Sequence, residues 1–142
     1  MTQVDFYVLE TPARGDRFKL CCRLAETAWG QGRRILVHCA SAEEAQQVDR
    51  LLWVFHDQSF VPHGRLGQAD PALTPVLIAH SGESGDEHDV LINLAPEVPL
   101  FFSRFDRVAE PVDADPPARA ASRERFKFYR DRGYQPNVHK LD

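Results

Sequence analysis

The densest cluster of chemically capable side chains lies in one short polar segment. His80 is followed by the stretch SGESGDEHD, which supplies Asp86, Glu87, His88 and Asp89. Zinc ligands come at short fixed spacings from rigid elements, and a loop rich in Gly and Ser is not such an element. We therefore predict a solvated hairpin loop and no metal site. No Ser-His-Asp set or carboxylate pair stands out elsewhere in the chain.

A second candidate is the pair His38-Cys39, which resembles the phosphate-binding loop of cysteine-dependent phosphatases. That chemistry needs an arginine six residues after the cysteine, where this chain has Ala45. The turn after the first predicted strand, LETPARGD, matches neither GxGxxG nor GxxxxGK[ST], so no phosphate cradle is encoded there. We predict no catalytic residues and no cofactor, with Cys39 as an inert buried thiol.

Aromatic residues are concentrated in the stretch LLWVFHDQSFVPH, residues 51–63. It contains Trp53, Phe55 and Phe60 near the end of a predicted helix and on the loop beyond. Phe55 is assigned to the core. Trp53 and Phe60 either seal the edge of the core or form the wall of a pocket for a partner's apolar side chain, and the stretch alone does not decide between these roles.

The last predicted helix carries the sequence RERFKFYRDRGY. Because helical residues turn by about 100° each, Phe126 and Phe128 point about 160° apart and cannot share one core. We expect Phe128 to pack inward and Phe126 either to stay exposed or to cover a pocket. Arg123 shares the face of Phe126, and Lys127 is adjacent, which suits an acidic, apolar peptide with a free carboxylate. Before any family resemblance is considered, the favoured interpretation is a solvated basic face whose side-chain stems cover the core.

Length, charge and cysteine content limit the class of protein. A chain of 142 residues predicts a single domain over residues 1–142. Three cysteines at no framework spacing, no apolar run of membrane length and no signal sequence predict a cytoplasmic protein. The net charge is −4, yet residues 119–140 hold seven Lys or Arg against two carboxylates, so the remainder carries −9. An acidic body argues against tight non-specific binding of nucleic acid.

Apolar runs and helical periodicities alternate along the chain. Strands are predicted at residues 4–9, 35–39, 76–79, 90–95 and 105–112, and helices at residues 17–29, from the capping box Ser41/Glu44, and from Asp115 to Gly133. A short helix is expected at residues 97–104, and residues 58–75 are predicted to form a loop. This alternation predicts a Rossmann-like, three-layer α/β fold with a mostly parallel central sheet flanked by helices.

Three stretches together resemble the chi subunit family of bacterial DNA polymerase III. They are LLWVFHDQSFVPH, VLINLAPEVPLFFSRFDRVAEPVD and RERFKFYRDRGY, and the resemblance extends from VDFYVL to GYQPNVHKL. It implies a non-catalytic accessory protein of the clamp-loader assembly with a Rossmann-like fold. Such a protein would bind the acidic C-terminal tail of single-stranded-DNA-binding protein, which ends in phenylalanine.

The resemblance also implies a set of binding residues. The family's tail pocket falls here on Trp53, Phe60, Arg123, Phe126 and Lys127, which are expected to converge in space. The aromatic before the lysine can be tyrosine in the family, and Phe126 keeps the ring without the hydroxyl. A second family partner is the psi subunit. Its candidate contact is an apolar group that could equally be core: Leu100, Phe101, Phe102 and Phe105.

Two other functions remain open from the sequence. One is a small α/β enzyme that uses Cys39 or a nucleotide. The other is a direct single-strand binder in which Trp53 and Phe126 stack on bases beside the basic helix.

Overall fold

The structure is a computed structural model and describes residues 1–54 and 61–141. Those residues contain seven strands and three α-helices. The strands are β1 (Gln3–Leu9), β2 (Ile35–Cys39), β3 (His63–Arg65), β4 (Val76–His80), β5 (Val90–Asn93), β6 (Arg107–Val112) and β7 (Asn137–Leu141). The helices are α1 (Arg17–Gly30), α2 (Ala42–Val54) and α3 (Pro116–Asp131).

The strands form one sheet in the order β3-β4-β2-β5-β6-β1-β7. Each of the six pairings between the described strands is parallel. The predicted α/β fold with a parallel sheet is therefore confirmed. The order places β3 at one edge and β7 at the other, with β2, β5 and β6 in the middle.

Helices cover both faces of the sheet. Helices α1 and α2 pack on one face, where Cys21 and Val48 meet Ile35 and Val37 of β2. Helix α3 and the segment before β6 pack on the other face, where Tyr129 lies among Phe6, Leu36 and Phe102. The continuous apolar runs predicted as strands arise because successive side chains of each strand enter different cores.

Local signals explain where the helices begin. The Ser41 hydroxyl accepts from the Glu44 amide at 3.2 Å, as the capping box predicts, and the Glu44 carboxylate reaches back to the Ala40 amide at 3.2 Å. Asp115 caps α3 by accepting from the Ala118 amide at 3.2 Å. Gly133 follows this helix with φ 88°, a left-handed conformation that glycine adopts without strain.

The prediction of a loop at residues 58–75 is wrong where the chain forms β3, and a 3-10 turn follows at Pro71–Leu73. Strand β3 is three residues long and pairs with β4, Gly64 lying opposite Leu77. Its sequence, His-Gly-Arg, has no apolar alternation to reveal it. Glycine is required at position 64 because a Cβ there would lie 2.5 Å from the Cβ of Ala69.

Two further predictions need correction. The short helix at residues 97–104 is limited to a 3-10 turn at Phe102–Arg104, and the following strand begins at Arg107 rather than at residue 105. Strand β7 was not predicted at all. Its residues are mostly polar and exposed because it is an edge strand, so it lacks the buried alternation that marks the inner strands.

Candidate functional site

Helix α3 turns Tyr129, not Phe128, toward the centre of the protein. Tyr129 is fully buried, whereas Phe126 and Phe128 are half-buried on either side of it. The expectation that Phe128 is the inward aromatic is therefore wrong. Tyr129 is turned inward because its hydroxyl donates a hydrogen bond to the carboxylate of Glu110 on β6, at 2.7 Å.

Glu110 is the centre of a buried polar network beneath α3. Its side chain is fully buried and accepts from Arg125 Nε at 2.8 Å and from Asn93 Nδ2 at 3.0 Å. Burial raises the pKa of Glu110, and the ion pair with Arg125 and the hydrogen bonds from Tyr129 and Asn93 oppose that rise. The network fixes α3 on the sheet and thereby sets which side chains of the helix face outward.

A groove runs between α3 and strand β7, and we call it the α3–β7 groove. Its volume is about 600 Å³. Its apolar surface comes from Phe6 and Val8 of β1, Val138 of β7 and Phe126 of α3. The rings of Phe6 and Phe126 are in contact, with centroids 5.5 Å apart. These side chains form a shared apolar surface against which an aromatic ring can pack.

Cations surround this apolar surface. Five basic side chains line the groove against one acidic side chain, Glu124: Arg119, Arg123, Lys127, Arg130 and Lys140. Among the described residues, the side chains of Arg123, Lys127 and Lys140 make no ion pair. Uncompensated cations beside an apolar surface favour a ligand that is both anionic and apolar.

Arg123, Phe126 and Lys127 are thus brought together as predicted, but Trp53 is not. Trp53 lies on α2, on the opposite face of the sheet, and packs edge-on against His63 of β3 with ring centroids 5.0 Å apart. Strands β3 and β7 are six spacings apart, or roughly 29 Å at about 4.8 Å each. The expectation that Trp53 converges with Arg123 on one pocket is wrong.

Two of the predicted aromatic positions cannot be placed. Phe55, assigned to the core, and Phe60, assigned to the pocket, lie outside the described residues. Within this stretch, the last two described residues of α2 are Trp53 and Val54, and both are exposed.

The apolar group suggested for a second partner divides between surface and core. Phe101, Phe102 and Phe105 are buried. The Phe102 ring contacts the Tyr129 ring, and the two ring centroids are 5.2 Å apart. Leu100 is 91% exposed. It borders a pocket of about 300 Å³ that also touches Phe128, on the side of α3 away from the α3–β7 groove. Of these four residues, Leu100 alone presents an apolar surface.

Comparison with known proteins identifies the family. Residues 1–137 match the family model described as DNA polymerase III chi subunit, HolC. The chain belongs to the DNA polymerase III chi subunit family. It is 42% identical to the DNA polymerase III subunit chi of Pseudomonas aeruginosa, over 99% of this chain and 98% of that protein. It is 31% identical to the subunit chi of Escherichia coli, over 97% of each chain.

A solved structure shares the fold of this chi-family chain. The C-terminal domain of the DEAD-box protein Dbp5 superposes with a TM-score of 0.61 over 98% of this chain and 90% of that one. The sequence identity is 11%, so the likeness concerns the fold. No helix within residues 1–54 and 61–141 of the chi-family chain has the length and apolarity to cross a membrane.

His38 and Cys39 of the chi-family chain do not form a pair. They are neighbours on β2, so their side chains enter opposite faces of the sheet. His38 Nε2 accepts from the Gly82 amide at 3.0 Å, and burial lowers the pKa of His38. Cys39 lies in the core with Cys21 and Cys22. Burial raises the pKa of Cys39 to about 12.

These thiols should be unreactive in the folded protein. The pKa of Cys22 is also raised to about 12, and that of Cys21 is raised well above its ordinary value, in both cases mainly by burial. Because the thiolate is the reactive species, we expect an aromatic disulfide reagent at about pH 8 to modify no thiol of the native protein and all three after unfolding. Rapid modification of one native thiol would contradict this.

The acidic loop that suggested a metal site serves the fold. Glu87 forms an ion pair with Arg34, with Oε1 and Nε 3.1 Å apart. Asp89 accepts hydrogen bonds from the guanidinium of Arg33 and from the backbone amide of Arg34. His80 Nδ1 lies 2.9 Å from the Ser81 hydroxyl. Two carboxylates of this loop are therefore engaged with arginines that precede β2. The predicted hairpin is wrong, because β2 lies between β4 and β5 and runs parallel to both.

The carboxyl ends of the strands form a separate crevice of about 370 Å³, where α/β folds commonly bind ligands. Its charged side chains pair with one another. Arg17 meets Asp113 at 2.7 Å and Glu44 at 3.6 Å, and Arg125 meets Glu110 at 2.8 Å. No uncompensated cation among the described residues that line the crevice offers a phosphate site.

Helix geometry could have revealed more of the α3–β7 groove than we predicted. Arg119, Arg123 and Lys127 follow each other at four-residue intervals, which places them on one side of a helix. Lys140 and Val138 gave no such signal, because their positions depend on β7.

Proposed function

We propose that this chi-family chain is a non-catalytic accessory subunit that binds the acidic C-terminal tail of single-stranded-DNA-binding protein and links it to the clamp loader. The α3–β7 groove is the observation that carries this proposal. It combines an apolar surface with five cations and one carboxylate. The family membership supports the replisome context, which would place the protein in the cytoplasm.

A tail that ends in phenylalanine brings one ring to bury and one carboxylate to neutralise. The ring would pack against Phe6 and Phe126. Their rings contact each other, and both line the apolar surface of the groove. The terminal carboxylate would accept two hydrogen bonds from Arg123, in the bidentate geometry that suits a guanidinium. Lys127 would meet acidic residues further up the tail.

Trp53 lies away from the α3–β7 groove, and Phe60 lies outside the described residues. A contact between Trp53 and the same partner remains a prediction of the family resemblance, and such a contact would require the partner to reach the other face and edge of the sheet. We therefore expect Trp53→Ala to leave the affinity of a short tail peptide unchanged. The same substitution should weaken a longer partner if the second contact exists.

The psi subunit is the proposed link to the clamp loader. Leu100, with Phe128 behind it, is the apolar surface we assign to that contact. Phe101, Phe102 and Phe105 would support Leu100 from the core. This surface and the α3–β7 groove lie on different sides of α3, so both partners could bind at once.

The two alternatives have weaker support. An enzyme that used Cys39 would need a thiolate, and burial opposes its formation. A direct single-strand binder would need its stacking platforms together, and Trp53 and Phe126 lie on opposite faces of the sheet. We propose no catalysis, no cofactor and at most weak direct contact with DNA.

Salt dependence distinguishes the tail from an oligonucleotide as ligand. Tail binding should weaken with added salt because exposed charges attract across the groove, but less steeply than a contact with many phosphates. We expect the tail peptide to bind more tightly than a bare oligonucleotide at physiological salt in a fluorescence-anisotropy titration. Equal affinities would remove the main support for the proposed function.

The experiment that tests the proposal is a calorimetric titration with a short acidic peptide ending in phenylalanine. The same peptide amidated at its C-terminus is the matched control. We expect the free carboxylate to bind more tightly. No binding of either peptide would contradict the proposed function.

A further inference from the structure

Strand β7 has a free edge beside the α3–β7 groove. It pairs with β1 on one side, Phe6 lying opposite Val138 and Val8 opposite Lys140. Among the described residues, no strand pairs with its other side. Asn137, Val138, His139 and Lys140 are all exposed. An edge of this kind presents main-chain N–H and C=O groups that can pair with another extended chain.

The register shows which main-chain groups of β7 are available. The Glu10 amide donates to the Leu141 carbonyl at 2.7 Å, so the main-chain groups of Leu141 face β1. These groups alternate in direction along a strand, so Asn137 and His139 also face β1 while Val138 and Lys140 face outward. The side chains of Val138 and Lys140 line the groove. Val138 and Lys140 therefore offer a ligand both main-chain hydrogen bonds and side-chain contacts.

We propose that the acidic tail binds as an added strand on β7, pairing its main chain with Val138 and Lys140. This inference rests on the proposed function and adds how the tail is held. The charge of the groove selects this occupant, since Lys140 stands on the strand itself and Lys127 and Arg130 stand on the facing helix. Main-chain pairing supplies affinity without regard to sequence, and the groove supplies selectivity for the side chains.

Strand pairing also explains how one ring can reach the groove. Side chains of an extended peptide alternate between the two faces of a sheet. Every second side chain of the tail then lies on the face that carries Phe6, Phe126 and Val138. The intervening side chains lie over the other face, near His139 and Tyr7, whose rings stack 4.8 Å apart.

A scan of N-methylated tail peptides tests this arrangement. Methylation removes one amide donor and blocks pairing at that position. We expect the affinity to fall by about tenfold or more at alternate positions within the paired segment and by less than about threefold at the positions between them. Equal effects at neighbouring positions, or none anywhere, would overturn strand addition.

Amide hydrogen exchange gives a second readout on the full chain. Peptide binding should slow exchange at Val138 and Lys140 by at least about tenfold, because their outward amides acquire partners. His139 already donates toward β1 and serves as the internal control. Unchanged exchange at Val138 and Lys140 with peptide bound would overturn the inference.

A matched pair of variants separates main chain from side chain. Val138→Pro removes an outward donor at an edge position that tolerates proline, and Val138→Ala trims the side chain but keeps the donor. We expect the proline variant to bind at least about fivefold more weakly than the alanine variant, with the fold checked by circular dichroism. Equal affinities would contradict strand pairing.

The two proposals fail in different ways. If the peptide binds and depends on Arg123 but shows no alternation and no protection of β7, the tail binds the groove without strand addition. If the peptide does not bind at all, the proposed function fails and strand addition fails with it.

Discussion

Replacing Arg125 with alanine should lower the free energy of unfolding by about 3–5 kcal/mol. Arg125 is the cation of a buried pair, 2.8 Å from Glu110, and the Glu110 side chain is fully buried. Removing one partner leaves a carboxylate in a site where burial already raises its pKa. Urea denaturation followed by circular dichroism would measure the loss, as a lower midpoint with an unchanged slope.

Arg123 provides the matched control for this prediction. It lies two residues earlier on the same helix, has the same side chain and is exposed. Arg123→Ala should change the free energy of unfolding by less than about 0.5 kcal/mol. If Arg123→Ala lowered stability as much as Arg125→Ala, Arg123 would also have a structural role. The ion pair with Glu110 would then not explain the effect of Arg125→Ala.

Replacing Phe126 with alanine should weaken binding of the tail peptide by about 2–3 kcal/mol, or roughly 30- to 160-fold. Phe126 is the aromatic that α3 contributes to the groove, and its ring is held against Phe6. Without it, the terminal ring of the tail would lose the surface on which it packs. Calorimetric titration of the variant against the same peptide would measure the effect.

Two variants show whether this loss is specific. Phe126→Tyr keeps the ring and adds a hydroxyl, so its affinity should stay within about threefold of wild type. Phe128→Ala trims the half-buried aromatic on the other side of α3, next to Leu100. It should leave the tail affinity unchanged, and a loss equal to that of Phe126→Ala would place the binding surface elsewhere.

The fold was predictable where apolar residues repeat. Strand β2 is found at its predicted residues, and Ser41 and Asp115 cap the helices that they were expected to cap. The edge strands β3 and β7 were missed because each has one partner and little buried surface. Hydrophobic periodicity in a sequence reflects burial, so a half-exposed strand shows little periodicity.

The site was predictable only within one helix. Helical geometry places Arg123, Phe126 and Lys127 close together, and the structure agrees. Helical geometry does not determine whether α2 lies beside α3, because that depends on the order of the strands. That order separates Trp53 from the α3–β7 groove and brings Lys140 into it. Contacts between elements distant in the chain are not encoded in local patterns.

The buried network under α3 was also beyond prediction from the sequence. Glu110 stands in an apolar strand, and Arg125 stands among exposed basic residues, so neither is distinguished by its neighbours. Their meeting turns Tyr129 inward and displaces Phe126 and Phe128 to the sides. A polar contact thus decided an orientation that aromatic content alone had suggested wrongly.

Arg123 is expected to bind the terminal carboxylate of the tail. A double-mutant cycle tests it most directly, with wild type and Arg123→Ala each titrated against the free and the amidated peptide. Amidation should weaken wild type by about 1–3 kcal/mol, the range of charge-assisted hydrogen bonds, and scarcely affect Arg123→Ala. Equal losses in both proteins would show that Arg123 and the carboxylate do not meet.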